Sequence, residues 1–144
     1  MKIRKLLQAE KANAMRLVWD VFLEFEAPNY SKEGIQTFRD FIENKETINA
    51  LEVYGAYEKE NLLGMIATRE DESHIALFFV KGSYQRKGIG RKLVEVVLKN
   101  SNSKEITVNF SLFATKVYQK LGFKEVDIEQ TTKGMRYIPM KYNK

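Results

Sequence analysis

Cysteine does not occur in this chain. Its absence excludes thiol nucleophiles, disulfide frameworks, iron–sulfur clusters and zinc fingers. Histidine occurs once, at His74, so no zinc site can be built mainly from histidines. A serine hydrolase would have to use that one imidazole, and no G-x-S-x-G turn is present. Proline is limited to Pro28 and Pro139, and no Pro/Gly-rich linker, repeat or low-complexity segment interrupts the chain. Long apolar runs are missing too. Leu62 to Ala67 and Ile75 to Val80 span six residues each, against the about 20 that a membrane span needs. The opening MKIRKLLQAEK is basic, but its apolar stretch stops at Leu7, short of the roughly 7–15 residues of a secretory signal. The lack of cysteine suits a reducing compartment. The expectation is a cytoplasmic protein with no membrane partner.

What is present is an ordinary globular composition: 144 residues, 44% apolar and 30% charged. A chain of this size buries roughly two-thirds of its unfolded surface, enough for one domain over 1–144. Hydrophobic periodicity divides it into elements. Met1 to Leu7 reads as an edge strand. Ala9 to about Glu26 carries Met15, Val18, Trp19, Phe22 and Phe25 at helical spacing, and Pro28 stops it. Ser31 is placed to cap a second helix with Ile35, Phe38, Phe41 and Ile42 on one face. Three strands follow, Ile48–Tyr57, Leu62–Arg69 and His74–Val80; the last is nearly all apolar, as a strand covered on both faces is. A helix over Gly88–Leu98, a strand over Glu105–Asn109 and a helix over Leu112–Leu121 come next. Strands Phe123–Ile128 and Met135–Met140 close the chain. The order predicts an α/β (α+β) fold, a mixed, mostly antiparallel sheet of about seven strands flanked by about four helices.

The chemistry concentrates between Phe79 and Arg91. A buried strand runs into a loop, and Gly88 and Gly90 strip side chains from the start of the next helix. Bare N–H groups at the positive end of a helix dipole bind phosphate. Residues 81 to 92 contain Lys81, Arg86, Lys87, Arg91 and Lys92 and no acid, and these five positives equal the net charge of +5. The excess is one local cluster with no groove-length stripe, which argues against a nucleic-acid partner. A Walker loop is excluded by the spacing of Gly82 and Gly88 and by Ile89 where lysine would stand. A dinucleotide fingerprint fails because Leu93 holds the third glycine position.

What remains, Gln85-x-x-Gly88-x-Gly90, resembles the acyl-CoA loop Q/R-x-x-G-x-G/A of the GCN5-related N-acetyltransferases. A second stretch is similar to the family's next strand and helix: Val108-Asn109-Phe110-Ser111, then Ala114, then Tyr118 one turn later, then Gly122-Phe123. The element order agrees over nearly the whole chain.

The resemblance implies acetyl-CoA as cofactor. Its pyrophosphate would lie on the main-chain amides of Arg86, Lys87, Gly88, Ile89, Gly90 and Arg91, with Gln85 bracing the loop. Its pantetheine arm would run along the main chain of Phe78, Phe79 and Val80, in a split facing Asn109 and Ser111, and Ala114 would allow close approach. Tyr118 takes the general-acid position. A phenol near pKa 10 can protonate a departing thiolate whose conjugate acid lies near 8.5, and the Val80 N–H is a candidate oxyanion donor. The attacking amine needs a base, because about one lysine-like amine in a thousand or fewer is neutral at pH 7. His74 and Glu26 are the candidates, and Glu24 to Tyr30 is a candidate substrate entrance. For His74, Glu26 and Tyr118 alike, a purely structural role is the alternative. The implied reaction is direct acetyl transfer to a small-molecule or peptide amine. A non-catalytic CoA sensor or scaffold is the competing reading, and a homodimer stays open.

Overall fold

The computed structural model describes residues 1–111 and 114–144. Among these residues eight strands form the sheet: β1 (Lys2–Lys5), β2 (Glu52–Glu58), β3 (Asn61–Arg69), β4 (His74–Val80), β5 (Glu105–Phe110), β6 (Lys124–Glu125), β7 (Gln130–Thr132) and β8 (Met135–Asn143). Among the described residues five α-helices accompany them: α1 (Lys11–Phe25), α2 (Lys32–Glu43), α3 (Lys45–Asn49), α4 (Ile89–Asn100) and α5 (Thr115–Lys120). The sheet order is β1-β2-β3-β4-β5-β8-β6, with β7 hydrogen-bonded to β8. Neighbours are antiparallel except β4 and β5.

Two cores share this sheet. Along β3 the side chains alternate, as strand geometry requires. Met65 and Ala67 join the core under α1 and α2, while Ile66 joins the core under α4. Phe22 and Phe38 anchor the first, stacked with ring centroids 4.0 Å apart. Leu93, Val97, Ile106 and Phe123 anchor the second. Among the described residues no helix is long and apolar enough to cross a membrane.

Ser31 caps α2, accepting a hydrogen bond from Gly34 N at 3.1 Å. The strand expected from Ile48 starts only at Glu52. The side chain of Asn44 accepts from Thr47 N at 3.1 Å and nucleates the short helix α3, so Ile48 is buried from a helix. The buried Lys11 ammonium donates to the carbonyls of Asn49 (3.1 Å), the last residue of that helix, and Leu51 (2.6 Å), just past it, where free carbonyls favour a cation. The strand expected over Phe123–Ile128 shrinks to Lys124–Glu125. Val126 N still donates to Pro139 O at 3.0 Å, but the Asp127 carboxylate then takes the N–H of Ile128 at 2.7 Å, and Ile128 is 79% exposed. Beyond it a polar hairpin, β7–β8, turns at Lys133 and Gly134, both with positive φ. The expected start of the last helix at Leu112 lies outside the described residues.

Candidate active site

Strands β4 and β5 pair only at His74↔Thr107 and Ile75↔Val108. Beyond that they part, and the sheet opens into a split. Two features of β4 prepare its edge. Ala76 is an extra residue, because Ala67 faces Leu77 while Thr68 faces Ile75. Such a bulge sharpens the local twist and re-aims the following residues. At the far end Lys81 N donates to Leu63 O at 2.9 Å. Strand peptide groups alternate in direction, so Phe78 and Val80 point theirs away from β3 and into the split. The Val80 carbonyl accepts from the Gln85 side-chain amide at 3.0 Å; its N–H is left to face the opening.

The loop after β4 has left-handed backbone at Arg86 (φ 63°) and Gly88 (φ 85°). Its two glycines serve different ends. At Gly88 a Cβ would meet nothing within 4 Å, so that position is glycine for its conformation and faces open space. At Gly90 a Cβ would come within 3.0 Å of the Phe78 ring, so that position is glycine for close packing of α4 on β4. Helix α4 starts at Ile89, and its first intrahelical bond among these residues runs from Lys92 N to Gly88 O at 3.2 Å. The amides of Ile89, Gly90 and Arg91 are thereby left to an outside acceptor. Lys81, Arg86, Lys87, Arg91 and Lys92 are all exposed around them.

Under the split lies a cavity of about 380 Å³. Among its lining residues are eight of those picked from the sequence: Glu26, His74, Phe78, Phe79, Asn109, Ser111, Ala114 and Tyr118. Val80, Gln85 and Arg86 to Arg91 belong to the rim and loop beside it. Tyr118 is 2% exposed, packed edge-on against Phe78 (5.2 Å) and Phe123 (5.7 Å). Burial first, and the charge of Glu26 second, push its hydroxyl well above the ordinary tyrosine value, so it holds its proton at any physiological pH.

Glu26 closes α1, its N–H donating to Phe22 O at 2.9 Å. Burial raises its carboxyl to about 7, opposed by a hydrogen bond from the Ser111 hydroxyl. Ser111 also contacts the Tyr30 hydroxyl, which donates to Arg136 O at 3.0 Å. A carboxyl that titrates near neutrality thus sits beside a phenol that does not, two groups whose environments separate their acid and base tasks. His74 stands at the closed end of the split, Nδ1 2.7 Å from Thr107 Oγ1. Burial, then the charge of Arg69, lowers its pKa below 6.5.

The lining also includes residues not picked from the sequence as site candidates: Arg69, Thr37, Phe38, Phe41, Met135, Arg136 and Tyr137. They come from α2, the end of β3 and the β7–β8 hairpin. The hairpin is pinned to α2 by Thr37 Oγ1 donating to Lys133 O at 2.7 Å and by Gly34 lying against Gly134 so closely that a Cβ on either would overlap the other's backbone. The Lys133-Gly134 pair was the available hairpin signal.

The sheet thus parts between two parallel strands above a glycine-rich helix start. A family model described as an acetyltransferase (GNAT) domain matches residues 26–144, and the chain belongs to that family. Solved structures match over almost their entire length. A GCN5-related N-acetyltransferase from Rhodopseudomonas palustris has a TM-score of 0.86 at 16% identity, covering 99% of this chain and 94% of that one. The apo form of YjaB from Escherichia coli has a TM-score of 0.76 at 19% identity, covering 98% and 96%. The PaiA N-acetyltransferase of Thermoplasma acidophilum, in complex with coenzyme A, has a TM-score of 0.75 at 20% identity, covering 100% of both chains. At such identities the likeness concerns the fold. No curated protein matches the chain.

Proposed function

We propose that this protein transfers the acetyl group of acetyl-CoA directly to a primary amine. The observation that carries the reading is the pairing of Glu26 and Tyr118 in one cavity beneath the β4–β5 split. The split itself suits the cofactor: free amides at Ile89 to Arg91, unfilled space over Gly88, exposed cations and the unpaired peptide edge of β4 match a pyrophosphate and an amide-bearing arm. Bound there, acetyl-CoA supplies an activated thioester.

This chain's residues would then divide the proton traffic. Glu26 takes the proton that the amine loses on attack. The Val80 N–H donates to the carbonyl oxygen as negative charge grows on it. Tyr118 gives its proton to the leaving sulfur. The two residues are coupled. Part of what holds Tyr118 above its ordinary value is the Glu26 charge, and that contribution disappears once Glu26 has taken up the amine's proton. Tyr118 becomes a better acid at the stage when the thiolate departs. Ser111 orients the Glu26 carboxyl toward this task. His74 is the other base candidate in the cavity, but its Nδ1 is engaged with Thr107.

The test is single-turnover mixing with acetyl-CoA and a panel of primary amines. Acetylated amine and free CoA in equal amounts are expected. Tight CoA binding with no transfer to any amine would favour the sensor reading instead. Gly88→Glu and Gly88→Lys share the same backbone strain but differ in charge. CoA affinity is expected to vanish in the first and persist in part in the second; equal loss in both would mean that the loop does not hold the phosphates.

A further inference from the structure

The charged groups of the cavity are few and are not spread evenly. Among the described residues that line it, Glu26 is the one carboxylate, and the cationic groups are Arg69 and Arg136. Arg136 is already held by both oxygens of Glu129, at 3.1 and 3.2 Å. Arg69 makes no ion pair among the described residues.

Their positions along the sheet differ as well. Arg69 faces His74 across the β3–β4 ladder. Both lie on the α1–α2 face, since the neighbouring Ile75 belongs to the opposite core and Thr68 alternates with Ala67. Tyr118 sits farther along, against Phe78. Allowing for the extra residue Ala76, the ladder from Ile66↔Phe78 to Arg69↔His74 covers three residues of β3, or about 10 Å of strand. The reacting end and the Arg69 end are thus opposite ends of one trench. Burial, then the charge of Arg69, lowers the pKa of His74 against the opposing charge of Glu70, so the imidazole is mainly neutral at pH 7, and the cation lining that end is Arg69. Between the ends the wall is apolar or aromatic: Phe38, Phe41, Met135 and Tyr137.

Resting on the acetyl-transfer reading, we infer that the acceptor is a small amine with one cationic nitrogen, an apolar middle and a carboxylate or similar anion at its far end, held by Arg69. The amine goes to Glu26 and the anion to Arg69, each opposite its complement. A polycation such as a polyamine would find one carboxylate at the reacting end and a like charge at the other.

Four amines of equal chain length test this: ε-aminocaproate, its amide, hexylamine and hexamethylenediamine, which differ only in the charge and polarity of the far group. Calorimetry on the CoA-loaded protein measures binding independently of turnover. Acetylation rates are measured in parallel. ε-Aminocaproate is expected to bind about 10- to 100-fold more tightly than its amide, the range for a hydrogen-bonded ion pair, and the diamine most weakly. Arg69→Gln should bring ε-aminocaproate to the level of its amide through KM, with kcat little changed. Arg69→Glu should invert the order in favour of the diamine. A parent protein that prefers the diamine, or an order unchanged in Arg69→Glu, would overturn the inference. Carboxylate-selective binding without acetylation would leave the anion site standing and sink the acetyl-transfer reading.

Discussion

The two halves of the site are made in different ways. The proposed cofactor half is one continuous stretch, Phe78 to Lys92, in which strand, loop and helix start follow in order. The proposed acceptor half is gathered from Glu26 to Phe41, from the Arg69–His74 corner and from Met135 to Tyr137. The first is set by local backbone preferences, chiefly the left-handed Gly88. The second depends on long-range docking, in which Gly34 presses on Gly134 and Tyr30 reaches Arg136. A local device can be read and altered residue by residue. A gathered wall changes shape as a whole when one of its contacts shifts. Tyr118 and Glu26 lie where the two halves meet, and variants can be chosen to act on one half, on the other or on the junction.

The largest effect is expected at the junction. Tyr118→Phe keeps the ring and removes the proton donor. It should lower kcat by about 10²–10⁴ with little change in affinity for CoA or amine. If the ring is only core, Tyr118→Phe should be nearly silent while Tyr118→Ala costs about 3–5 kcal/mol of stability. Steady-state kinetics with thermal denaturation separates the two.

Glu26→Gln comes next, with kcat expected to fall by about 10² because water can serve as a weaker base. In the parent protein, activity should rise as pH increases through about 7, where the Glu26 carboxyl ionises. An inflection below 6.5 that survives Glu26→Gln would instead give the role to His74, whose value is lowered. Stability should move the other way. Burial raises the carboxyl above its ordinary 4.5, so the folded state binds the extra proton between the two values. The contribution is full below about 4.5 and is lost as pH rises through about 7, an effect of about 3 kcal/mol. Glu26→Gln should therefore gain stability over the parent at alkaline pH and show no such gain in acid, a pattern that chemical denaturation at the two extremes would check.

Gly34→Ala strikes the acceptor half alone. The added Cβ overlaps the Gly134 carbonyl, so the hairpin must move off α2 at a cost of about 1–3 kcal/mol. KM for the amine should rise while CoA affinity holds. Loss of both together would show that the halves are not separable. The smallest effect belongs to the cofactor half. Lys87→Ala removes one exposed cation near the free amides, in solvent where screening acts within about 8–10 Å. CoA affinity should weaken only a few-fold, with a shallower dependence on salt; a salt slope equal to the parent's would separate the cation cluster from phosphate binding.

Much of this was legible beforehand because it is local. Ser31 before a periodic apolar face, the breaking effect of Pro28 and the glycines at the head of α4 are short-range signals, and the structure places the corresponding elements where those signals predict. The failures are instructive in the same terms. Ile48 looks like the first residue of a strand until Asn44 is seen to cap a helix. Val126 and Ile128 have strand propensity, but an Asp127 that bonds its own neighbour ends the ladder. The β7 strand, Gln-Thr-Thr, carries no apolar alternation at all, and it exists because its partner strand and the Lys133-Gly134 turn supply the bonds.

By itself the sequence determined the element order, the free-amide loop with its concentrated positive charge, and the residue types that chemistry would require at Glu26, His74 and Tyr118. The tertiary structure decided which of these act on one another. Glu26 is an unremarkable helix-end carboxylate along the chain. It becomes a group titrating near 7 because residues distant in sequence exclude water from it and Ser111, 85 positions later, bonds it. Charge, periodicity and turn preference are properties of neighbours in sequence. Desolvation and the pairing of an acid with a base are properties of neighbours in space, and those exist only once the chain has folded.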